Sequence, residues 1–158
     1  MFTNHLSRIR KAAIGGAAAA AVALPLALTS APAQAATLNG CTVTPLAPVK
    51  VGQLGNVPIY RFSTRVTCVK DRIVQIVDQR WESDPPAGVA GDQSYGTSVY
   101  LRTFAAPGTV ILSVNDFVTN TEAGFEEVYH RTAFRVASIG GVTGFTAYQN
   151  SALVAAAV

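Results

Sequence analysis

Apolar and polar residues alternate most clearly between residues 60 and 69. The even positions carry Tyr, Phe, Thr, Val and Cys, and the odd positions up to residue 67 carry Arg, Ser, Arg and Thr. Because successive side chains of a strand point to opposite faces, this pattern predicts a strand with one buried face. A second run, residues 73–81, begins apolar on both faces, which is typical of a central strand. The short polar break between the runs predicts an antiparallel pair joined by a tight connection.

Shorter runs of the same kind continue along the chain. They predict strands at residues 41–44, 98–104, 109–118, 127–136 and 142–149, separated by turns and by a long loop at residues 83–96. The apolar residues 152–158 form either a final strand or a loosely held tail. About seven or eight short strands without an amphipathic helix predict an all-β protein, folded as an antiparallel β-sandwich.

Residues 1–35 have the pattern of a secretory signal peptide. A basic start is followed by an uncharged, alanine-rich run and by the small-residue sequence Ala33-Gln34-Ala35. We therefore expect Sec-type export with cleavage after Ala35, which leaves residues 36–158 as a single secreted domain. An Arg-Arg pair, the mark of the twin-arginine route, is absent. The alternative is a membrane anchor, but Pro25 and the shortness of the apolar run argue against it.

Removal of this leader changes the charge of the protein. The whole sequence has a net charge of +3, but three of its twelve Lys and Arg residues lie in the leader. The remaining nine are balanced by nine Asp and Glu residues. A neutral mature chain lacks the overall positive field that favours nucleic acids or anionic membranes, and we expect neither partner. We also expect no membrane span after the leader.

The sequence contains two cysteines, Cys41 and Cys68, both after the leader. In an exported chain two thiols usually oxidise to one disulfide, so we expect a Cys41–Cys68 bridge. A lipobox ending at Cys41 is an alternative interpretation of Leu38-Asn39-Gly40-Cys41. It is disfavoured because Asn39 is not the small residue usual there, and because Cys41 lies well beyond the apolar run.

The spacing of Cys68 and Trp81, thirteen residues, is similar to that of the strand B cysteine and strand C tryptophan in immunoglobulin-like domains. The resemblance implies an immunoglobulin-like architecture for the sandwich. The chain departs from that family because the predicted strand at residues 127–136 lacks the partner cysteine, so the bridge runs to Cys41. The resemblance implies no particular ancestry or partner.

Arginines and the single tryptophan are the candidate binding residues. Arg61 and Arg65 share one face of one predicted strand, and Arg131 and Arg135 share one face of another. If these strands are neighbours, the four form a basic row suited to an acidic polysaccharide, phosphate or protein. The alternative, which we favour, is a solvated face with acidic residues nearby. Trp81 could be a platform for a sugar or a protein partner, but a lone tryptophan in a sandwich is more typically a core residue.

Two further groups could carry chemistry. His130, the one histidine after the leader, is predicted to point inward, and a general base would also need a nucleophile and an orienting acid. A buried histidine with a hydrogen-bond partner is therefore the simpler interpretation. Glu82, Asp84 and Asp92 lie in or beside the 83–96 loop and could bind Ca²⁺ through oxygen ligands, although their spacing matches no known calcium loop. The sequence indicates no cofactor.

These observations favour a small, secreted, non-enzymatic protein that binds an unknown protein or glycan partner. Loops at the ends of such folds commonly bind ligands, so the 83–96 loop is the first candidate. One alternative is a hydrolase inhibitor that inserts this proline-containing loop into its target. Another is a small enzyme that uses His130 with Asp116 or Glu126. The sequence alone identifies no ligand.

Overall fold

The structure, a computed structural model, describes residues 33–83, 92–119 and 126–156. All regular structure in these residues is β-strand, arranged in two antiparallel sheets. The described residues contain no helix long and apolar enough to cross a membrane. The strands are β1 Ala36–Leu38, β2 Cys41–Pro45, β3 Val49–Leu54, β4 Val57–Cys68, β5 Arg72–Ser83, β6 Gln93–Phe104, β7 Gly108–Phe117, β8 Glu126–Ser138, β9 Gly141–Val142, β10 Gln149–Asn150 and β11 Val154–Ala156. The predicted signal peptide lies outside the described residues except for positions 33–35, and so do Asp84 and residues 85–91 of the predicted loop.

The first sheet, sheet 1, is built around β4. One edge of β4 pairs with β7, from Ile59 opposite Phe117 to Cys68 opposite Gly108. Its other edge pairs with β2 and β3, and β1 adds to the outside of β2. The second sheet, sheet 2, is built around β5, which lies between β6 and β8. The outer edge of β8 carries the short strands β9, β10 and β11.

The predicted pairing of residues 60–69 with residues 73–81 is wrong. Both segments are strands, but β4 lies in sheet 1 and β5 in sheet 2. The three residues between them carry the chain from one layer to the other, and Asp71 there has a left-handed backbone with φ 58°. Asp adopts this conformation more readily than most residues. Alternation predicted the buried face of β4, whereas the strands that neighbour β4 and β5 depend on the path of the connection.

The two sheets share one core, which polar residues divide into two apolar clusters. The larger cluster surrounds the disulfide and includes Val66 and Leu112 of sheet 1 and Ile76 and Phe134 of sheet 2. The smaller cluster lies near the other end of the strands. Its buried members are Tyr60, Phe62, Val118, Val128 and Ala156. Because both clusters draw on both sheets, burial of apolar surface holds the layers together.

The predicted disulfide is confirmed, since Cys41 and Cys68 are bonded. The two residues face each other directly on β2 and β4, and both are buried. The bridge spans 27 positions and fixes the start of the fold to its central strand. In the chain-entropy account, a loop of this length stabilises the folded state by about 3.5 kcal/mol.

Residues 142–149 were predicted to form one closing strand, but only the ends of this segment are paired, in β9 and β10. Between them, the hydroxyls of Thr143 and Thr146 accept hydrogen bonds from backbone N–H groups of β8 at 3.0 and 3.1 Å. Farther along, Ser151 accepts another from β8 at 3.1 Å. Side chains thus replace ladder partners along the outer edge of β8 and satisfy its donors.

Candidate functional site

The outward-facing residues of β5, β6 and β8 form one broad surface on sheet 2, which we call the arginine face. Directly paired residues of neighbouring strands point the same way, so the register defines rows across the sheet. In the order β6, β5, β8, the three central rows are Leu101–Gln75–Arg135, Val99–Val77–Ala133 and Thr97–Gln79–Arg131. The middle row is apolar, and each flanking row joins a glutamine to an arginine.

Arg131 is held by contacts on both sides of β8. Its Nε donates a hydrogen bond to Gln79 Oε1 at 2.9 Å. Its guanidinium carbon lies 4.4 Å from the centroid of the Trp81 ring and 4.8 Å from that of Tyr148. Trp81 belongs to β5 and Tyr148 to the segment along the opposite edge of β8, so the guanidinium lies between two rings. Cation–π contacts of this kind orient an arginine and leave its terminal N–H groups available.

Arg135 repeats this arrangement four residues along the strand. Its Nε donates to Gln75 Oε1 at 2.7 Å, and its guanidinium carbon lies 5.0 Å from the Phe145 ring centroid. A strand rises about 3.3 Å per residue, so the two arginines lie about 13 Å apart. Beside Arg135 is a shallow depression of about 140 Å³ with largely apolar walls. Its lining residues are Ile73, Gln75, Leu101, Arg135, Ala137 and Val142.

Both arginines use Nε for a glutamine and keep their terminal nitrogens uncommitted within the part of the chain that the structure describes. The ion pairs among those residues are Lys70–Asp71, Arg80–Asp116 and His130–Asp78, and none includes Arg131 or Arg135. The glutamines bind the guanidinium groups without neutralising them. The arginine face thus presents two fixed positive charges that can accept a carboxylate, sulfate or phosphate.

Among the described residues, two acids flank the Arg131 end of this face, whereas Asp71 lies before β5, beyond its opposite end. Asp92 accepts a hydrogen bond from the Tyr129 hydroxyl at 2.8 Å, and Glu127 lies on the outward side of β8 two residues beyond Tyr129. Burial is the main reason that the pKa of Tyr129 is raised to about 12, and the hydrogen bond to Asp92 also raises it. The acids would repel an anion at this end and confine it to the stretch between Arg131 and Arg135.

The predicted row of four arginines does not form. Arg61 and Arg65 lie on β4 in sheet 1, whereas Arg131 and Arg135 lie on β8 in sheet 2. The surroundings of the two pairs also differ, because the cation–π contacts of the described residues all involve the sheet 2 pair. Arg61 Nε donates to Asn115 Oδ1 at 3.2 Å, while the rest of that face of sheet 1 is rich in hydroxyls bonded to one another. The structure thus separates the candidate into two faces.

The expectation that Trp81 is a core residue is wrong. Trp81 is half-buried on the outward side of β5, and neither apolar cluster contains it. It also lies at the opposite end of β5 from the disulfide, so the Cys68–Trp81 spacing does not reproduce the packing of an immunoglobulin-like core. Its ring instead supports the guanidinium of Arg131.

His130 is fully buried, as predicted, and both ring nitrogens have partners. Nδ1 lies 3.0 and 3.1 Å from the two Asp78 carboxylate oxygens, and Nε2–H donates to the Leu46 carbonyl oxygen at 2.8 Å. Thr64 donates to the same carboxylate at 3.1 Å. Asp116 binds Arg80 and not His130, and the His130 side chain has no contact with solvent. The geometry therefore leaves this histidine no nitrogen with which to accept a proton from a substrate.

The candidate calcium ligands do not converge. Glu82 points into the core, where its Oε2 accepts a hydrogen bond from the Tyr95 hydroxyl at 2.8 Å. Asp92 is bonded to Tyr129 on the other side of the sheet. No three potential metal-ligating side chains come together within the described residues. Asp84 lies outside them.

The sequence did not identify Gln75, Gln79, Phe145 and Tyr148 as parts of the arginine face. Gln75 and Gln79 have the same parity as Trp81, so alternation along β5 already placed all three on one side. Phe145 and Tyr148 gave no comparable signal, because their segment has no regular pattern and is positioned by threonine hydroxyls. No family model matches this chain, and no curated protein matches it either.

Proposed function

We propose that this chain is an exported binding protein that recognises a carboxylated glycan through the arginine face of sheet 2. The observation that carries the proposal is the pair of guanidinium groups held against aromatic rings, with terminal nitrogens uncommitted within the described residues. Arginine binds carboxylates through two parallel hydrogen bonds, and exposed aromatic rings offer flat surfaces for sugar rings. Tyr148 and Phe145 are 41% and 46% exposed, so both rings are available.

Export is supported by the leader pattern of residues 1–35 and by the disulfide, which is typical of oxidising compartments. An immunoglobulin-like sandwich is the architecture we propose for residues 36–158. Two antiparallel sheets with a common core support it. Because Trp81 faces outward, the resemblance concerns the arrangement of the sheets and not the packing of a core tryptophan.

The length of the face favours an extended polymer over a small anion. Two charges about 13 Å apart, on side chains four residues apart in one strand, match two separate acidic groups on one chain. The apolar row between them, formed by Val99, Val77 and Ala133, offers no partner for a third charge. Rings and glutamine amides around the arginines suit the mixed apolar and hydroxyl surface of a sugar. These features favour a carboxylated polysaccharide over inorganic phosphate.

The test uses polygalacturonic acid as the probe and its methyl ester as the uncharged control, with affinity measured by titration calorimetry. We expect the acid to bind, the ester to bind much more weakly, and added salt to weaken binding. The double variant Arg131→Met/Arg135→Met should lower affinity by about tenfold or more, since a hydrogen bond to a charged group contributes about 1.5–3 kcal/mol.

The matched control is Arg61→Met/Arg65→Met, which removes the same two charges at the same spacing from sheet 1. It should leave the affinity nearly unchanged. An equal loss in both double variants would show that net charge, and not the arginine face, controls binding. Tighter binding of poly-glutamate than of the polysaccharide would identify an acidic protein as the partner and overturn the glycan assignment.

A further inference from the structure

The two arginines of the arginine face have different surroundings. Arg131 lies between two aromatic rings, those of Trp81 and Tyr148. Arg135 contacts one ring, that of Phe145, and borders the depression of about 140 Å³. The two ends of the face therefore differ in shape as well as in their rings, and a ligand that contacts both arginines meets a different surface at each.

The depression has apolar walls because the row of residues beyond Arg135 carries no charge. The strand register places Ile73, Ala137 and Val142 side by side in that row, on the outward side of β5, β8 and β9. Leu101 of β6 forms a further wall. Three of these four side chains are exposed, and Ala137 is half-buried. A small apolar group placed among them would remove both surfaces from water.

Gln75 adds a hydrogen-bond donor to the lining of this depression. Its Oε1 accepts the hydrogen bond from Arg135 Nε at 2.7 Å, so the side of the amide that carries the nitrogen points elsewhere. An amide nitrogen has two N–H groups to donate, and the hydrogen bonds among the described residues give this one no acceptor. A cation, an amide donor and apolar walls thus lie within one small area.

We infer that the Arg135 end of the arginine face binds an acidic sugar that carries an acetyl group, an inference that rests on the proposed function. The guanidinium of Arg135 binds the carboxylate, and the amide nitrogen of Gln75 donates to the acetyl carbonyl oxygen. The methyl group lies against the apolar walls of the depression. A bare sugar hydroxyl in the same place would give up hydrogen bonds to water against those walls. The depression therefore favours the acetylated form of the sugar.

The test compares polygalacturonic acid with the same polymer after partial O-acetylation, by titration calorimetry on the disulfide-bonded chain. We expect the acetylated polymer to bind about fourfold more tightly, the effect of removing one methyl group from water. Ala137→Leu fills the depression and should abolish this preference while leaving the affinity for the unmodified acid nearly unchanged. Circular dichroism verifies that the variant keeps its strand content.

Leu101→Ser is a second variant, which removes one wall of the depression without adding bulk to the sheet. It should also abolish the preference for the acetylated polymer. Leu54→Ser is its matched control, because both leucines are 67% exposed and Leu54 lies on β3 in sheet 1. The preference should persist in this control.

Equal affinity for the two polymers in the unsubstituted chain would overturn the acetyl site and leave the proposed function standing. Failure of both polymers to bind would overturn the proposed function and the acetyl site together. A preference that survives both Ala137→Leu and Leu101→Ser would assign the acetyl group to another part of the surface, and the inference would be wrong in that case as well.

Discussion

β5 and β8 present two chemically different surfaces, since their even and odd residues point in opposite directions. Inward, Asp78 and Arg80 on β5 and His130 on β8 form an inner polar belt with Thr64 and Asp116 of sheet 1. Outward, Gln79 and Trp81 on β5 and Arg131 on β8 form part of the arginine face. The same two strands thus supply a structural polar network and the proposed binding surface one residue apart.

The inner polar belt and the arginine face differ in which sheets their hydrogen bonds connect. In the inner polar belt, bonds cross from one sheet to the other: Thr64 to Asp78, His130 to the Leu46 carbonyl, and Arg80 to Asp116 at 2.8 Å. Such bonds fix the position of one layer on the other, because buried polar groups are costly unless paired. On the arginine face, bonds stay within sheet 2 and position the arginines without neutralising them. The comparison indicates that the belt fixes one sheet on the other, whereas the arginine face leaves its charges available for the proposed ligand.

The largest effect is expected from breaking the inner polar belt. Asp78→Ala leaves a fully buried histidine without its carboxylate partner, so the free energy of unfolding should fall by about 3–5 kcal/mol. Urea denaturation monitored by circular dichroism measures this loss. The adjacent, outward-facing Gln79→Ala is the control and should cost about 1.5–2 kcal/mol at most, because the hydrogen bond it loses, to Arg131, is only partly buried. Similar costs for the two variants would mean that the belt contributes no more to stability than the face.

A smaller effect is expected at Gly96, where the belt depends on a missing side chain. A Cβ added at Gly96 would lie 2.7 Å from Arg80 Nη2. Arg80 is 5% exposed and is bonded to Asp116 and Ser98, so it cannot move aside freely. Gly96→Ala should therefore lower the free energy of unfolding by about 1–3 kcal/mol.

Gly96 also has a positive φ of 156°, which side chains rarely adopt, so Gly141→Ala is the control: Gly141 has φ 116°, and a Cβ there would meet nothing within 4 Å. A double-mutant cycle with Arg80→Met identifies the cause. If the clash with Arg80 is responsible, Gly96→Ala should cost much less in the Arg80→Met background. An unchanged cost would assign the effect to the backbone of Gly96 instead.

On the arginine face, a substitution should lower affinity at a smaller cost in stability than in the inner polar belt. Arg131→Met removes two cation–π contacts worth about 0.5–1 kcal/mol each, so the free energy of unfolding should fall by about 1–2 kcal/mol. Its affinity for polygalacturonic acid should still fall by about tenfold, equivalent to about 1.4 kcal/mol. The inward-facing Arg80→Met should show the opposite balance, with a larger loss of stability and an unchanged affinity. Equal losses of stability for both would remove the distinction between belt and face.

Alternation along the chain was enough to predict which residues of β4 and β8 face inward, whereas the run that became β5 was predicted as a central strand without an assigned inner face. His130 was correctly placed in the core, and the disulfide followed from there being just two cysteines. Alternation is a local property, set by the geometry of a single strand, so it survives errors in pairing. Trp81 was instead predicted as a core residue from the usual preference of tryptophan for the core, although it shares the parity of Gln75 and Gln79, which also face outward.

The sequence could not predict contacts between segments that lie far apart along the chain. The connection at residues 69–71 decided that β4 and β5 lie in different layers, and this separated Arg61 and Arg65 from Arg131 and Arg135. The Leu46 carbonyl is an acceptor that no side-chain pattern reveals. Likewise, Tyr148 and Phe145 reach the arginines only because hydroxyls of their segment bind the edge of β8. The candidate site therefore depends on tertiary structure more than the fold class does.

The smallest expected effect concerns Tyr129, at the acidic end of the arginine face. Its pKa is raised from 10.0 to about 12, chiefly by burial and then by Asp92. A group whose pKa is higher in the folded state stabilises that state below its unfolded pKa, so this contribution is complete below pH 10 and is lost as the pH rises to about 12. An absorbance titration should therefore show Tyr129 ionising late, along with Tyr100, whose pKa burial also raises. Asp92→Asn should lower the pKa of Tyr129 but leave it above 10.0, because burial persists.

Asp71→Asn is the matched control for Asp92→Asn, since Asp71 is exposed and lies at the other end of β5 beside Lys70. It removes the same charge from the protein and should leave the late ionisation unchanged. Tyr129→Phe should remove from the late phase the share due to Tyr129 and leave that of Tyr100, whose pKa burial also raises. If Asp71→Asn and Asp92→Asn shifted the titration equally, the cause would be the net charge of the protein. Asp92 would then have no local effect on the pKa of Tyr129. The acidic end could in that case not be expected to confine an anion to the stretch between Arg131 and Arg135.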